Sequence, residues 1–319
     1  MTPLALLSSL TQRHMRLTLV NGPHRTRIYD RPGLSLPGEE QARLRADVTA
    51  LAYKVEPRGA LDYGVFLDDP EIWANIVLTL VYDRKSKELI GFNALRWIDL
   101  QDPAIDAPVL HLGLAMVDPD AQGRGVSWIL YGLTVVLLFL RGGLRPLRIT
   151  SVSQVPAVVG RVAQSFTDVY PDGKRARPRF RHLRIARGVM RNHRAAFGVG
   201  ADAWFEEDGF VIRNAYTGGS DAMKKAFDEA SHHRDGYIND LCRETLDYAR
   251  GDDILQVGQM DLPTARQYLL KEVPRDSRKA VLFAGAFSIV QTWAVPIASW
   301  LDSRRSWDGL RPARKADHV

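Results

Sequence analysis

The turn VDPDAQGRGVS at residues 117–127 joins two apolar segments, and the interpretation of the whole chain depends on it. The preceding run, 109–117, is rich in β-forming residues and predicts a strand. Residues 125–140 are apolar on nearly every side and predict a helix packed between other elements. Glycines let the backbone approach a ligand closely, and the first amides of a helix have no partner within it. The turn therefore predicts a phosphate-binding loop at a helix N-terminus, where Arg124 adds a positive charge.

The segments on either side of this turn predict the fold class. Residues 44–55 carry apolar side chains at helical spacing, and 77–82 and 89–98 predict two strands of a hairpin. After the turn, residues 147–152 predict a strand and 156–166 a helix that begins with a proline. The order helix, hairpin, strand, loop, helix, strand, helix is typical of an α/β (α+β) domain whose mixed sheet has helices on both faces.

Specific residues argue against other ligand motifs. A dinucleotide fingerprint needs a third glycine where Trp128 stands, and no lysine follows the turn as a P-loop requires. The single cysteine, Cys242, excludes an intrachain disulfide and argues against a cysteine-based zinc site. His232 and His233 are adjacent and have no further ligand at a suitable spacing, so no metal is expected.

The turn resembles the pyrophosphate loop of the GNAT family, the Gcn5-related N-acyltransferases. That loop reads Arg or Gln, two residues, Gly, one residue, then Gly or Ala, and this chain has Gln122 to Ser127 as QGRGVS. Gln154 to Ala157 is similar to the family's Asn-x-x-Ala at the start of the next helix. The resemblance covers about residues 40–170. It implies a GNAT-like mixed sheet flanked by helices at 39–172, with acetyl-CoA or a longer acyl-CoA as co-substrate, and no metal.

The resemblance also implies which residues bind the cofactor and which are in doubt. The expected cofactor residues are Met116, Val117, Gln122, Gly123, Arg124, Gly125, Val126, Ser127 and Gln154. Ser127 replaces the usual last Gly or Ala, a small change. The family often places a tyrosine that protonates the leaving thiolate where this chain has Arg161. Ser153, Tyr170 or water is expected to serve instead.

His111 is the candidate base for removing a proton from the amine. In this family an amine attacks the thioester directly, with no covalent enzyme intermediate. His111 is the only titratable side chain within the predicted strand 109–117, and a histidine pKa suits a base near neutrality. Gly113 predicts a bulge that opens this strand. The alternative is a histidine that has only a structural role.

The regions outside 39–172 are assigned by pattern alone. Residues 1–38 show no clear period and are expected to form an N-terminal arm, and 173–319 a mostly helical extension. A basic helix is predicted at 179–197, with an arginine stripe opposite an apolar side. The arginine stripe could bind the CoA 3′-phosphate, an acidic acyl carrier protein or an anionic membrane. The alternative is a solvated face without a partner. Nucleic acid is disfavoured as a partner. The members of the stripe are Arg181, Arg184, Arg187, Arg191 and Arg194.

An uncharged apolar segment at 280–301 has several interpretations. It predicts a helix that is buried or docks on a surface. Such a helix could contact a membrane peripherally or form a wall for a longer acyl chain. A helix that spans the membrane is the weaker alternative. The net charge of +6 favours an acidic or phosphorylated partner. With one cysteine and no secretory signal pattern, a reducing, cytoplasmic location is expected, with or without membrane association.

Two functions of different classes follow from these observations. The first is an N-acyltransferase that moves an acyl group, medium or long in chain, from a CoA thioester to an amine acceptor, which is a small molecule or a peptide. Acyl carrier protein is the rival donor, through the arginine stripe. The second is a GNAT-shaped module without catalysis that binds a cofactor or a partner, and Arg161 in place of the tyrosine is its main support.

Overall fold

One mixed sheet organises the chain. A computed structural model describes residues 13–57, 61–105, 107–175 and 177–301. The ten strands of the sheet are β1 (Arg16–Asn21), β2 (His24–Asp30), β3 (Ile76–Asp83), β4 (Leu89–Ile98), β5 (Val109–Val117), β6 (Leu147–Ser153), β7 (Thr167–Tyr170), β8 (Trp204–Glu206), β9 (Val211–Arg213) and β10 (Asp253–Met260). Their order is β1-β2-β3-β4-β5-β6-β10-β9-β8, and β7 pairs with β10. Only the β5–β6 pair is parallel among the described strands.

Helices cover both faces of the sheet. They are α1 (Pro32–Ser35), α2 (Gly38–Val55), α3 (Pro70–Asn75), α4 (Thr134–Arg141), α5 (Pro156–Ser165), α6 (Phe180–Asn192), α7 (Gly236–Thr245), α8 (Leu262–Lys271) and α9 (Arg278–Leu301). A π-helical turn, Ile129–Leu133, leads directly into α4. One face packs against α2 and α6, and the other against α4, α5 and α9. The predicted α/β (α+β) fold class, a mixed sheet flanked by helices with a C-terminal part that contains several helices, is confirmed.

The predicted N-terminal arm is wrong for residues 16–30. These residues form the β1–β2 hairpin, and β2 pairs with β3 along its whole length. The hairpin escaped detection because several side chains that it buries are polar, among them Asn21, Thr26 and Asp30. Thr26 Oγ1 donates a hydrogen bond of 2.9 Å to Asn21 Oδ1, which pairs two of these side chains inside the fold. Residues 1–12 of the predicted arm lie outside the described residues.

The C-terminal part also supplies strands, which the sequence analysis did not predict. β10 lies inside the sheet between β6 and β9, and Ile254 pairs with Ser153 of β6. All residues of β10 except Gln259 are buried. The predicted boundary at residue 172 therefore runs through one sheet. Within the described ranges, no helix combines the length and the apolar character needed to cross a bilayer.

A bulge at Gly113 opens the centre of the sheet, and this bulge was predicted. Ala94 of β4 pairs with Leu114 and Arg96 pairs with His111, so β5 has one residue more than β4 over this stretch. Only glycine fits there, because a Cβ on Gly113 would lie 2.3 Å from the carbonyl oxygen of Ala94. Beyond the bulge, β5 and β6 no longer pair, and their last partners are Leu112 and Ser151. A gap between two neighbouring strands is the result.

The close approach at Gly113 predicts a large effect of a single methyl group. Gly113→Ala should lower the free energy of unfolding by about 1–3 kcal/mol, as overpacking in a core does, because the new Cβ collides with backbone rather than with a side chain. Denaturant unfolding measures the change. Gly38→Ala is the matched control, since a Cβ at Gly38 meets nothing within 4 Å. Equal stabilities of the two variants would contradict this account of the bulge.

Candidate active site

The predicted phosphate loop lies at the end of β5, and neighbouring elements hold it in place. The Asp118 side chain accepts a hydrogen bond of 3.0 Å from the amide of Asp120. Lys54 of α2 forms ion pairs with Asp118 and Asp120 at 2.8 and 3.0 Å. His24 of β2 donates from Nε2 to the carbonyl oxygen of Arg124 at 3.0 Å. These contacts fix the backbone of the loop and leave its outer side open.

The outer side of the loop presents unused backbone donors. Gly123 and Gly125 have φ angles of 75° and 73°, a region that favours glycine, and both face open space. Within the part of the chain that the structure describes, four amides of the loop donate no hydrogen bond, namely those of Gly123, Gly125, Val126 and Ser127. Gln122, Arg124 and Ser127 are exposed, whereas Val126 is buried. The loop can therefore bind an anion with its amides and with Arg124.

A cavity of about 290 Å³ passes through the gap between β5 and β6. From the face covered by α2 and α6, it is lined by Arg96, His111 and Asp253. From the other face it is lined by Leu112, Tyr131 and Ser151. Tyr131 is four residues after Ser127, about 6 Å along a helix, so the cavity begins one turn from the phosphate loop. This arrangement suits a long ligand with an anionic group at one end and a reactive group in the gap.

His111 lines the cavity but is a weak base. Its side chain is buried, Nδ1 lies 3.1 Å from Thr150 Oγ1, and the ring stacks on Phe197 at 4.7 Å. Burial, together with the positive charge of Arg96, lowers the pKa of His111 to about 3. The imidazole is therefore neutral at physiological pH and poorly suited to accept a proton from an amine. The catalytic role of His111 stays a prediction, and the geometry favours positioning.

The other predicted residues divide between the cavity and the protein interior. Met116 and Ser153 line the cavity, and Ser153 Oγ accepts a hydrogen bond from the Val155 amide at 3.0 Å. Gln154 is buried and donates to the carbonyl oxygen of Met223, so it holds a loop of the C-terminal part. Tyr170 is not among the lining residues, and its hydroxyl donates to the Asp208 carbonyl oxygen at 3.2 Å. The structure thus brings His111, Met116 and Ser153 together, without Tyr170.

Tyr131 is a site residue that the sequence analysis missed. It lies in the π-helical turn and lines both the main cavity and a small adjoining cavity. Its hydroxyl makes no hydrogen bond with any residue that the structure describes. Burial raises the pKa of Tyr131, and Arg161 opposes this shift, so the hydroxyl keeps its proton at neutral pH. Arg161 lines the small cavity and pairs with Glu272 at 3.2 Å.

Asp253 is the second missed residue, and its neighbour in sequence behaves in the opposite way. Burial raises the pKa of Asp253 to about 7, although its carboxylate accepts a hydrogen bond of 3.1 Å from the Tyr216 hydroxyl. Asp252 forms ion pairs with Arg213 and Arg250 at 2.6 and 2.7 Å, and its pKa is lowered to about 2 despite burial. Asp253 therefore exchanges a proton near neutrality while it faces the cavity.

The predicted basic helix is present as α6, and its arginine stripe is partly neutralised. The apolar side is buried as expected, through Ile185, Ala186, Val189 and Met190. Arg184 forms a bidentate pair with Asp102, and Arg187 forms one with Glu207. Arg194 donates to the Ala203 carbonyl oxygen at 2.9 Å. Arg181 and Arg191 are exposed and make no such bond with a described residue. Docking of an acidic carrier on this stripe stays a prediction.

The apolar segment at 280–301 forms α9, which packs on α4. Gly285 allows this close approach, since a Cβ there would lie 2.9 Å from Leu140 Cδ1. None of the described side chains of α9 lines the main cavity, so the interpretation as a wall for the acyl chain is wrong for this cavity. Several apolar side chains of α9 are exposed, including Leu282, Phe283, Trp293 and Ile297. Peripheral membrane contact stays a prediction.

Among the described residues there is no group of three or more potential metal ligands.

Comparisons with known proteins place few limits on function. No family model and no curated protein matches the chain. The solved structures that match include the ribosomal-protein-S5-alanine acetyltransferase from Vibrio fischeri, at 12% sequence identity and a TM-score of 0.33. The match covers 76% of this chain and 95% of that chain. A likeness at this level assigns neither a family nor an activity.

The raised pKa of Asp253 predicts an unusual pH dependence of stability. The folded protein binds this proton more tightly than the unfolded chain, whose aspartate pKa is about 3.8. The stabilising contribution is thus complete only below about pH 3.8, and it declines as the pH rises from there through about 7. Wild type should lose on the order of 2 kcal/mol between pH 5 and pH 8 that Asp253→Asn does not lose. Denaturant unfolding at both pH values measures the difference.

Asp252→Asn is the control for this prediction. Its lowered pKa stabilises the fold above pH 4 and loses that contribution as the pH falls through about 2. The variant should therefore be destabilised at pH 5 and at pH 8 alike. Identical pH dependence in wild type and Asp253→Asn would contradict the raised pKa.

Proposed function

We propose that this protein is an N-acyltransferase that moves an acyl group from a CoA thioester to an amine. The observation that carries the proposal is the cavity through the gap between β5 and β6, which begins one helical turn from a loop with four unused amides. A CoA thioester has the matching shape, because its pyrophosphate is separated by a long arm from its reactive carbonyl. The resemblance of residues 122–127 to the GNAT pyrophosphate loop supports the same ligand.

In the proposed reaction the amine nitrogen forms a bond to the thioester carbon, the C–S bond breaks, the amine loses a proton and the thiolate gains one. The protein must therefore stabilise the negative charge on the thioester oxygen, accept the proton of the amine and donate a proton to the thiolate. A backbone amide of β5 beyond Gly113, where β6 no longer pairs, stabilises the negative charge on the thioester oxygen. Asp253 is the proton acceptor in this proposal because its pKa is close to neutrality. His111 positions the acceptor and stays neutral.

Tyr131 is the proposed proton donor to the thiolate. We propose this role for Tyr131 because it lines the gap, and because its hydroxyl keeps its proton and has no described hydrogen-bond partner. It lies on the side of the sheet where Arg161 occupies the position of the family's tyrosine. The modest volume of the cavity favours a short acyl group over the medium or long chain expected from the apolar C-terminal segment.

The proposal is tested by thiol release. Acetyl-CoA and butyryl-CoA are supplied with a panel of primary amines, and free CoA thiol is measured with a thiol reagent. Amine-dependent release supports the enzyme. Binding of CoA without release from any amine would favour the second function, a GNAT-shaped binding module, and the absence of both would contradict the proposal.

Gly125→Glu is predicted to abolish CoA binding. A carboxylate in the loop repels the pyrophosphate and displaces it from the amides. We expect at least a roughly 100-fold loss of affinity in calorimetry, since two or more charge-assisted hydrogen bonds disappear. Gly143→Glu is the matched control, because Gly143 has a φ of 72° and open surroundings but lies outside the loop. Equal CoA affinities of the two folded variants would remove the loop from the site.

Tyr131→Phe is predicted to slow turnover without weakening donor binding. Loss of a general acid lowers rates by roughly 10² or more, while the phenyl ring preserves the packing of the π-helical turn. Steady-state kinetics and CoA calorimetry separate the two effects. Tyr82→Phe is the control, since Tyr82 is partly buried but does not line the cavity. Unchanged turnover of Tyr131→Phe would assign the proton to another group.

A further inference from the structure

The cavity contains a positive charge that the fold itself does not use. Arg96 of β4 lines the cavity and is partly buried. Its guanidinium forms no hydrogen bond or ion pair with any residue in the described part of the chain. Asp69 and Glu71 act on it only at longer range, and burial lowers the pKa of Arg96. A partly buried guanidinium without a partner is costly unless a ligand supplies one.

The charges of the cavity are separated by the gap in the sheet. Arg96 lies on β4, on one side of the gap between β5 and β6, and Asp253 lies on β10, on the other side. Lys225, which also lines the cavity, approaches the Glu56 carboxylate at 3.9 Å and is therefore engaged with a protein anion. His111, beside Arg96, is neutral. Arg96 is therefore the group in this cavity that best suits an anion carried by a ligand.

We infer that the acceptor is an amine that also carries a carboxylate, such as an amino acid, and that Arg96 binds this carboxylate. The inference rests on the proposed acyl transfer. With the carboxylate on Arg96, the amine lies towards the gap, between the thioester and Asp253. The planar guanidinium can donate two parallel hydrogen bonds to a carboxylate, which fixes the direction of the acceptor. Tyr63, Phe66 and Phe197 give the cavity an aromatic wall for an apolar side chain.

Equilibrium titration with matched ligands tests this site independently of turnover. The pairs are phenylalanine with phenethylamine, and leucine with 3-methylbutylamine, each measured by calorimetry with and without saturating CoA. The carboxylate member should bind at least roughly tenfold more tightly, as a hydrogen bond to a charged group contributes. The phosphonate analogue of phenylalanine is the third probe, and tighter binding of it would assign Arg96 to a phosphate-bearing acceptor and overturn the carboxylate.

Two substitutions of Arg96 and one control complete the test. Arg96→Gln should remove the preference for the carboxylate member. Arg96→Lys keeps the positive charge and should retain part of the preference, so the test does not depend on the folding of the Gln variant alone. Arg25→Gln is the control, since Arg25 is an exposed arginine on β2 of the same sheet. A preference that survives in Arg96→Gln, or equal or absent binding of both members in wild type, would overturn the inference.

The same titrations separate this inference from the proposed function. If both members of each pair bind with equal affinity and both support thiol release, the role of Arg96 is overturned and the proposed acyl transfer is still supported. Carboxylate-selective binding that depends on Arg96, without CoA binding or thiol release, supports the carboxylate site and contradicts acyl transfer.

Discussion

The contact between Gly113 and the Ala94 carbonyl oxygen is the constraint on which the site depends. Because β5 passes so close to β4 at this point, it takes one extra residue and bends away from β6. Pairing between β5 and β6 ends at Leu112, and the cavity passes through the space that is left. The backbone of a sheet, normally satisfied on both sides, is thereby exposed to a ligand at its centre.

The acid–base chemistry of the cavity depends on a contrast in pKa between two neighbouring aspartates, Asp252 and Asp253. Both side chains are buried, but Asp252 does not line the cavity and is neutralised by two arginines, whereas Asp253 lines the cavity and accepts only a tyrosine hydroxyl in the described structure. Asp252, directly before β10, thus stabilises the fold through ion pairs, and Asp253, the first residue of β10, retains a proton that it can exchange.

The sequence predicted local features well and long-range contacts poorly. The strand, glycine loop and helix around Gly125 were predicted because φ preference and apolar period act over a few residues. Asp253 could not be assigned, because β10 joins β6 across about 100 residues of sequence and its place follows only from the sheet. Tyr131 looked like part of an apolar helix, and the π-helical turn that places it in the gap has no apolar pattern of its own. The β1–β2 hairpin was hidden by its buried polar residues.

The central claim is that a thioester occupies the gap between β5 and β6. The most direct measurement is a crystal structure with a non-hydrolysable acyl-CoA thioether. We expect the pyrophosphate on the unused amides of Gly123, Gly125, Val126 and Ser127, and the acyl carbonyl beside residues 113–116. A thioether bound elsewhere, or a gap closed by side chains while the nucleotide occupies another surface, would contradict it.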